Sequence, residues 1–176
     1  MLRTTLVALA LIAALPLVAL AHGPSRQKVV QSVEINAAPD KVWAAIGNFQ
    51  DMGWHPAIEK TAGTGDNGVG AKRTLTLKGG GTIEEALTNY NAEQKSYAYE
   101  ITNVDVKTLP VSNYSSSIKV TGEGSKSTVE WKGAFYRGYV NNDPPPELSD
   151  EAAVKAVTGV YRAGLDALKA KLEAGG

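Results

Sequence analysis

The last sixth of the chain changes its apolar period, and that change constrains the fold more than any single motif. From residue 29 to residue 135, apolar side chains recur at every second position in short segments. Beyond Ser149 they recur every third or fourth. Val154, Val157, Tyr161, Leu165, Leu168 and Leu172 follow at intervals of three, four, four, three and four, which puts them on one face of a helix of about six turns. Ser149 can cap its start, Asp150 and Glu151 suit the partial positive charge of its first turn, and Gly175-Gly176 ends it. Such a stripe needs an apolar partner, and only a sheet built from the preceding segments is large enough. Gly159 and Gly164 each cost up to ~1 kcal/mol of helix propensity relative to alanine, so they mark either close approach to that sheet or bends.

Alternation predicts strands over 29–35, 71–78, 82–91, 95–104, 112–121 and 126–135. Gly79-Gly80-Gly81 reads as a hairpin turn, and so does the TGEGSK stretch. Gly63, Gly65, Gly68 and Gly70 lead into an alternating segment and not into a lysine-bearing helix, so they do not form a phosphate-binding loop. Pro39 suits the first turn of a helix over 40–47, and residues 49–53 are expected to add a second short helical turn. The expected fold is α+β. A curved antiparallel sheet of six to seven strands wraps a long C-terminal helix, with two short helices after strand one.

At the other end, Arg3 precedes an uncharged apolar stretch, and Ala19-Leu20-Ala21 supplies the small-x-small pattern of a cleavage site. Residues 1–21 are therefore read as a secretory signal peptide and 22–176 as one domain, with no stable membrane insertion after cleavage. Cysteine is absent, which excludes disulfides, thiolate metal sites, Cys-His nucleophiles and haem thioether links. The 18 basic and 18 acidic side chains balance, so there is no field to draw in nucleic acid. No metal set and no cofactor motif stands out. His22, at the new terminus, would combine an amine with an imidazole, and His55 is the only other histidine.

Strand parity supplies the interior. Arg73, Leu75 and Leu77 share a face, as do Ile83, Glu85 and Leu87 across the triple-glycine turn. Tyr97, Tyr99 and Ile101 form another inward set, followed by Tyr114, Ser116, Ile118 and Val120, and then by Val129, Trp131, Gly133 and Phe135. Arg73 and Glu85 are expected to satisfy each other, either to fix the polar end of a ligand or only to stabilise a wet cavity. Trp54-His55-Pro56 closes the short-helix region. Trp54 is expected to bury its ring beneath the cavity mouth with its indole N–H on an acceptor, and His55 to orient a ligand or hold structure. The candidate ligand cavity thus comprises Trp54, His55, Arg73, Glu85, Tyr97, Tyr99, Tyr114, Trp131 and Phe135, suited to a small apolar molecule. Ordinary ligand pockets start at roughly 300 Å3, and close packing of these rings is the alternative. Tyr136, Arg137 and Tyr139, with the rigid Pro144-Pro145-Pro146 connector, form either a protein-contact edge or a cap on the cavity.

The run INAAPDKVWAAIGNFQDMGWHPAI, with GTIEEAL, YAYEI, VEW and YRAGLDALKAKL in that order, resembles the START-like helix-grip superfamily, in particular its polyketide cyclase/dehydrase-like branch. The resemblance covers nearly all of residues 22–176 and implies a helix-grip fold. WHPAIEK, LPVSNYSS and FYRGYVNNDPPPELSD more narrowly resemble the periplasmic accessory group found with bacterial methanol dehydrogenase systems. That implies a periplasmic factor that supports methanol oxidation through contact with methanol dehydrogenase or its cytochrome c acceptor, without a cofactor of its own. Two other readings are weighed against it. One is a cyclase- or hydrolase-like enzyme acting on an apolar carbonyl or cyclic substrate, with His55 as base and Arg73 stabilising negative charge. The other is a periplasmic carrier of a small ligand.

Overall fold

The computed structural model describes residues 23–174, so the expected signal peptide and His22 lie outside the described residues. The elements run β1 (Gln27–Ile35), α1 (Pro39–Ile46), β2 (Ile58–Thr64), β3 (Lys72–Leu77), β4 (Thr82–Asn91), β5 (Ser96–Val104), β6 (Val111–Glu123), β7 (Lys126–Arg137), a 3-10 turn (Pro146–Leu148) and α2 (Asp150–Ala174). One antiparallel sheet contains all seven strands in the order β1-β7-β6-β5-β4-β3-β2. Consecutive strands from β2 to β7 are neighbours, and β1 joins the far edge beside β7. The segment carrying α1 must therefore cross from one edge to the other, which closes one end of the concave face. Among the described residues, no helix is long and apolar enough to cross a membrane.

Register shifts between Ile58 and Lys60, at Glu84/Glu85, at Leu87/Asn89 and between Ser112 and Ser115 bend the sheet. The bent face wraps α2, whose Val157, Tyr161, Leu165, Leu168 and Leu172 are buried as the spacing requires. Ser149 caps this helix through its Oγ, which accepts from the Ala152 N–H at 3.1 Å. β2 is the strand that alternation leaves unmarked. It is an edge strand whose side chains after Ile58 are almost all exposed, so its sequence carries no apolar period.

The second short helix expected over 49–53 does not form. Local side-chain acceptors compete for the backbone instead: Asn48 Oδ1 takes the Gln50 N–H, Asp51 Oδ1 takes the Gly53 N–H, and Asn67 Oδ1 takes the Phe49 N–H. The result is a chain of turns tied to the β2–β3 loop, with Phe49, Met52 and Trp54 buried beneath it.

Two glycines set how closely α2 approaches the sheet. Tyr161 stacks on Trp131 at 4.4 Å between ring centroids and 14° between planes. A Cβ on Gly133 would lie 2.2 Å from the Tyr161 hydroxyl, and one on Gly164 would lie 2.5 Å from His55 Cδ2 and 3.0 Å from Trp131 Cζ3. Gly159, on the exposed side of the same helix, meets nothing within 4 Å. The two helix glycines therefore differ in kind. Gly159→Ala is expected to stabilise the protein by ~0.5–1 kcal/mol in urea unfolding. Gly164→Ala is expected to destabilise it by ~1–3 kcal/mol through overpacking. Equal stabilisation by both would show that α2 is free to move off the sheet.

Candidate functional site

Arg73 on β3 lies opposite Glu85 on β4 in the strand register, and both turn into the concave face. The Arg73 Nε–H donates to Glu85 Oε2 at 2.5 Å, and Nη1 donates to the Phe49 carbonyl at 2.7 Å. The guanidinium carbon sits 4.1 Å from the Phe49 ring centroid and 5.2 Å from that of Tyr99. Two ring faces and a carboxylate thus compensate a cation that is 1% exposed. Burial pushes the Glu85 carboxyl above its ordinary range, with the Arg73 guanidinium drawing it the other way; the carboxylate in turn holds the arginine firmly protonated. Arg73 Nη2 and the Tyr97 hydroxyl make no hydrogen bond of good geometry.

Next to this pair lies a directed ladder of hydroxyls. Ser116 Oγ donates to the Lys132 carbonyl at 2.8 Å, so its lone pairs face its other neighbours. It can then accept from the Tyr161 hydroxyl at 3.0 Å and from Trp131 Nε1–H at 2.9 Å. Tyr161 in turn accepts from the Tyr114 hydroxyl at 2.5 Å. Trp131 Nε1–H also reaches the Tyr99 oxygen at 3.1 Å, which leaves the Tyr99 proton uncommitted. Burial raises all of these phenols, Tyr161 to about 12 and Tyr99 and Tyr114 well above their ordinary value, so they stay protonated.

His55 is 2% exposed and uses both ring nitrogens. A carbonyl only accepts, so Nε2 carries the proton and donates to the Val160 oxygen at 2.9 Å. Nδ1 then accepts from the Ala57 N–H at 3.2 Å. Desolvation lowers the imidazole from its usual range, partly offset by the Val160 bond, and favours this neutral form. The lone pair that a general base would need is already committed to the backbone.

Around these groups the interior is largely filled. Among the described residues, a partly enclosed cavity of about 80 Å3 lies beside them, well below the expected pocket scale. Of the nine sequence candidates, His55, Glu85, Tyr99, Tyr114 and Trp131 line it. Trp54, Arg73, Tyr97 and Phe135 do not; they are buried in the packing around it. Trp54 packs on Trp131 at 5.6 Å, and its indole N–H lacks the acceptor expected for it. Thr108 and Leu109, in the β5–β6 connection, also line the cavity. Parity could not find them, because they belong to no strand.

The expected contact edge divides. Arg137 is 3% exposed and turned inward, donating to the carbonyls of Tyr139 and Asn141 and pairing with Asp150 at 3.2 Å. It pins the connector and is not a surface anchor, because its planar donors match the turn's carbonyls better than water would. Tyr136, Tyr139, Pro144 and Pro145 are half-buried, Pro146 is exposed, and Val140 stands 65% exposed.

With this geometry in place, comparisons with known proteins are informative. The family model described as polyketide cyclase/dehydrase and lipid transport matches residues 26–173, and the chain belongs to that family. It is 34% identical to an uncharacterised protein of Bacillus thuringiensis, covering 83% of this chain and 98% of that one, with a TM-score of 0.70. It is also 34% identical to the protein XoxI of Bacillus cereus, over 82% and 94% of the two chains, again with a TM-score of 0.70. Norcoclaurine synthase of Thalictrum flavum, 18% identical over 94% and 96%, has a TM-score of 0.63 and shares the fold. No curated protein gives a significant match.

Two outcomes follow from the buried charges. Arg73→Met strands Glu85 and should cost ~3–5 kcal/mol in urea unfolding, whereas adding Glu85→Leu should recover most of the loss. For His55, a folded pKa below the unfolded value means that its contribution is complete above about pH 6.5 and is lost as pH falls through the folded value. Glu85, displaced upward, acts in the opposite sense. The difference between proteins therefore isolates the histidine: between pH 7.5 and 5.5 the unfolding midpoint should drop more for the parent than for His55→Gln. Parallel pH profiles would contradict a neutral buried imidazole.

Proposed function

We propose that this member of the polyketide cyclase/dehydrase and lipid transport family is a non-enzymatic accessory protein of bacterial methanol oxidation. In this reading it is exported to the periplasm and acts by contact with methanol dehydrogenase or its cytochrome c acceptor. The observation that carries the reading is the pinned connector after β7. Arg137 fixes the backbone at Tyr139 and Asn141 and ties it to the start of α2, so Tyr139, Val140 and Pro144–Pro146 are held as a preorganised edge. A rigid aromatic and apolar edge loses little entropy on docking, which is what a protein contact needs. This edge lies within FYRGYVNNDPPPELSD, one of the stretches that carry the narrower resemblance. The commitment of both His55 nitrogens to backbone partners weighs against the enzyme reading.

A second reading, a carrier for a small ligand, is favoured by the interior cavity beside Glu85 and Tyr99. The two are separated by affinity recovery from native periplasm. Contact with the oxidation system predicts co-purification of the dehydrogenase or its cytochrome. Tyr139→Ala combined with Val140→Asp should reduce recovery at least about tenfold while leaving the unfolding midpoint unchanged. A deletion strain with normal methanol oxidation and normal dehydrogenase-to-cytochrome transfer would refute the accessory role.

A further inference from the structure

The cavity holds two polar groups whose hydrogen-bonding capacity is unspent, and they are complementary. Glu85 Oε2 is taken by Arg73, while Oε1 makes no hydrogen bond among the described residues; Glu85 lines the cavity and is 4% exposed. Tyr99 accepts from Trp131 and keeps its proton; it too lines the cavity and is 1% exposed. His55 is spent on two backbone groups and Trp131 on Tyr99 and Ser116, and the Tyr114 proton goes to Tyr161; the Thr108 hydroxyl is half-buried, on the side of the wall shared with the outer crevice. The rest of the wall is apolar, with Met52, Ile58, Leu75, Ile83, Ile101 and Leu109 prominent.

We infer that the cavity takes a short-chain primary alcohol, whose hydroxyl donates to Glu85 Oε1 and accepts from the Tyr99 hydroxyl while its alkyl group fills the apolar wall. One acceptor beside one donor calls for a group that is both, which a hydroxyl is and an ether or carbonyl is not. The guanidinium of Arg73 already neutralises Glu85, so an ammonium group gains no net attraction and loses its hydration. At about 80 Å3, the space is well under the roughly 300 Å3 of an ordinary ligand pocket, which restricts the ligand to a few non-hydrogen atoms. Access is short. Ala57, Leu77 and Thr108 line both this cavity and an outer crevice formed by the Gly79-Gly80-Gly81 turn.

The inference rests on the interior-ligand reading above and not on the dehydrogenase contact. Its test is a methyl-detected NMR titration of the purified protein with ethanol and 1-propanol, beside dimethyl ether and ethylammonium chloride, with xenon as a probe of the space alone. The alcohols should shift the methyls of Leu75, Ile83 and Leu109 saturably, with a dissociation constant on the order of 1 mM, as suits so small a ligand. Dimethyl ether, lacking the donor, should bind about fivefold more weakly, and Tyr99→Phe should weaken the alcohols by about the same factor while leaving the spectrum native. Ile101→Phe, which narrows the cavity, should abolish saturation. Equal binding of ether and alcohol, tighter binding of the ammonium ion, or linear shifts that persist in Ile101→Phe would overturn the inference. Xenon entry without alcohol saturation would overturn the ligand class alone; exclusion of both would overturn the interior-ligand reading as well.

Discussion

The stacking of Tyr161 on Trp131 is the contact on which the rest of the interior depends. It is a helix-to-sheet contact at 4.4 Å, made where two glycines remove the side chains that would hold α2 further away. That distance brings the Tyr161 hydroxyl to Ser116 and Tyr114 and aligns the ladder that ends on the Lys132 carbonyl. It also places the Val160 carbonyl within reach of His55, which ties the turns after α1 to the same helix. If α2 moved outward, the hydroxyls would be left in an apolar core without partners. Each such loss costs about 1–3 kcal/mol, so packing and polar satisfaction reinforce one geometry.

Against that background, Arg73 and Glu85 are the costly feature of the fold. Two charges withdrawn from water can be matched in stability by apolar side chains of similar size, so stability alone does not account for them. Their arrangement is asymmetric in a way that packing does not require. The arginine is enclosed by Phe49 and Tyr99, whereas the carboxylate lines the cavity with one oxygen unspent. A charge pair that keeps one acceptor available to an interior space has the form of a recognition element. Its neutrality as a pair sets what it can recognise.

Much of this was legible because the inner strands sit in the middle of the sheet, where burial enforces strict alternation. Arg73 and Glu85 were assigned to the interior because Leu75 and Leu77, Ile83 and Leu87 flank them at every second position. The same logic placed Tyr99, Tyr114 and Trp131, which are indeed buried. It failed where the backbone leaves the sheet or the sheet loses its core. At Thr102 a bulge shifts the register, so that Glu85 faces Ile101 while Glu84 faces Asn103, and parity can no longer be carried forward to Thr108 and Leu109. β2, at the edge, had no period to read. The inward turn of Arg137 was not legible, because an arginine beside tyrosines and prolines looks the same in sequence whether its donors face a partner or the protein's own carbonyls. The size of the cavity was not legible at all, since the same aromatic set either encloses a space or fills it.

How full the interior is bears directly on where this protein can do its work. Rings from β5, β6, β7, α2 and the turns after α1 occupy most of the concave face, and the space left beside Glu85 and Tyr99 is too small for a substrate of ordinary metabolite size. The imidazole of His55 offers no free lone pair to that space, having spent its own on the backbone. Outside this interior, the connector after β7 is held from within by Arg137. The interior and the edge are then coupled through one element. Asp150, which pairs with Arg137, opens α2, and the same helix carries Tyr161 and the Val160 carbonyl against the cavity wall. Small-molecule occupancy and partner contact would thus act on the middle and the first turn of one packed helix, which is the physical route by which either could bias the other.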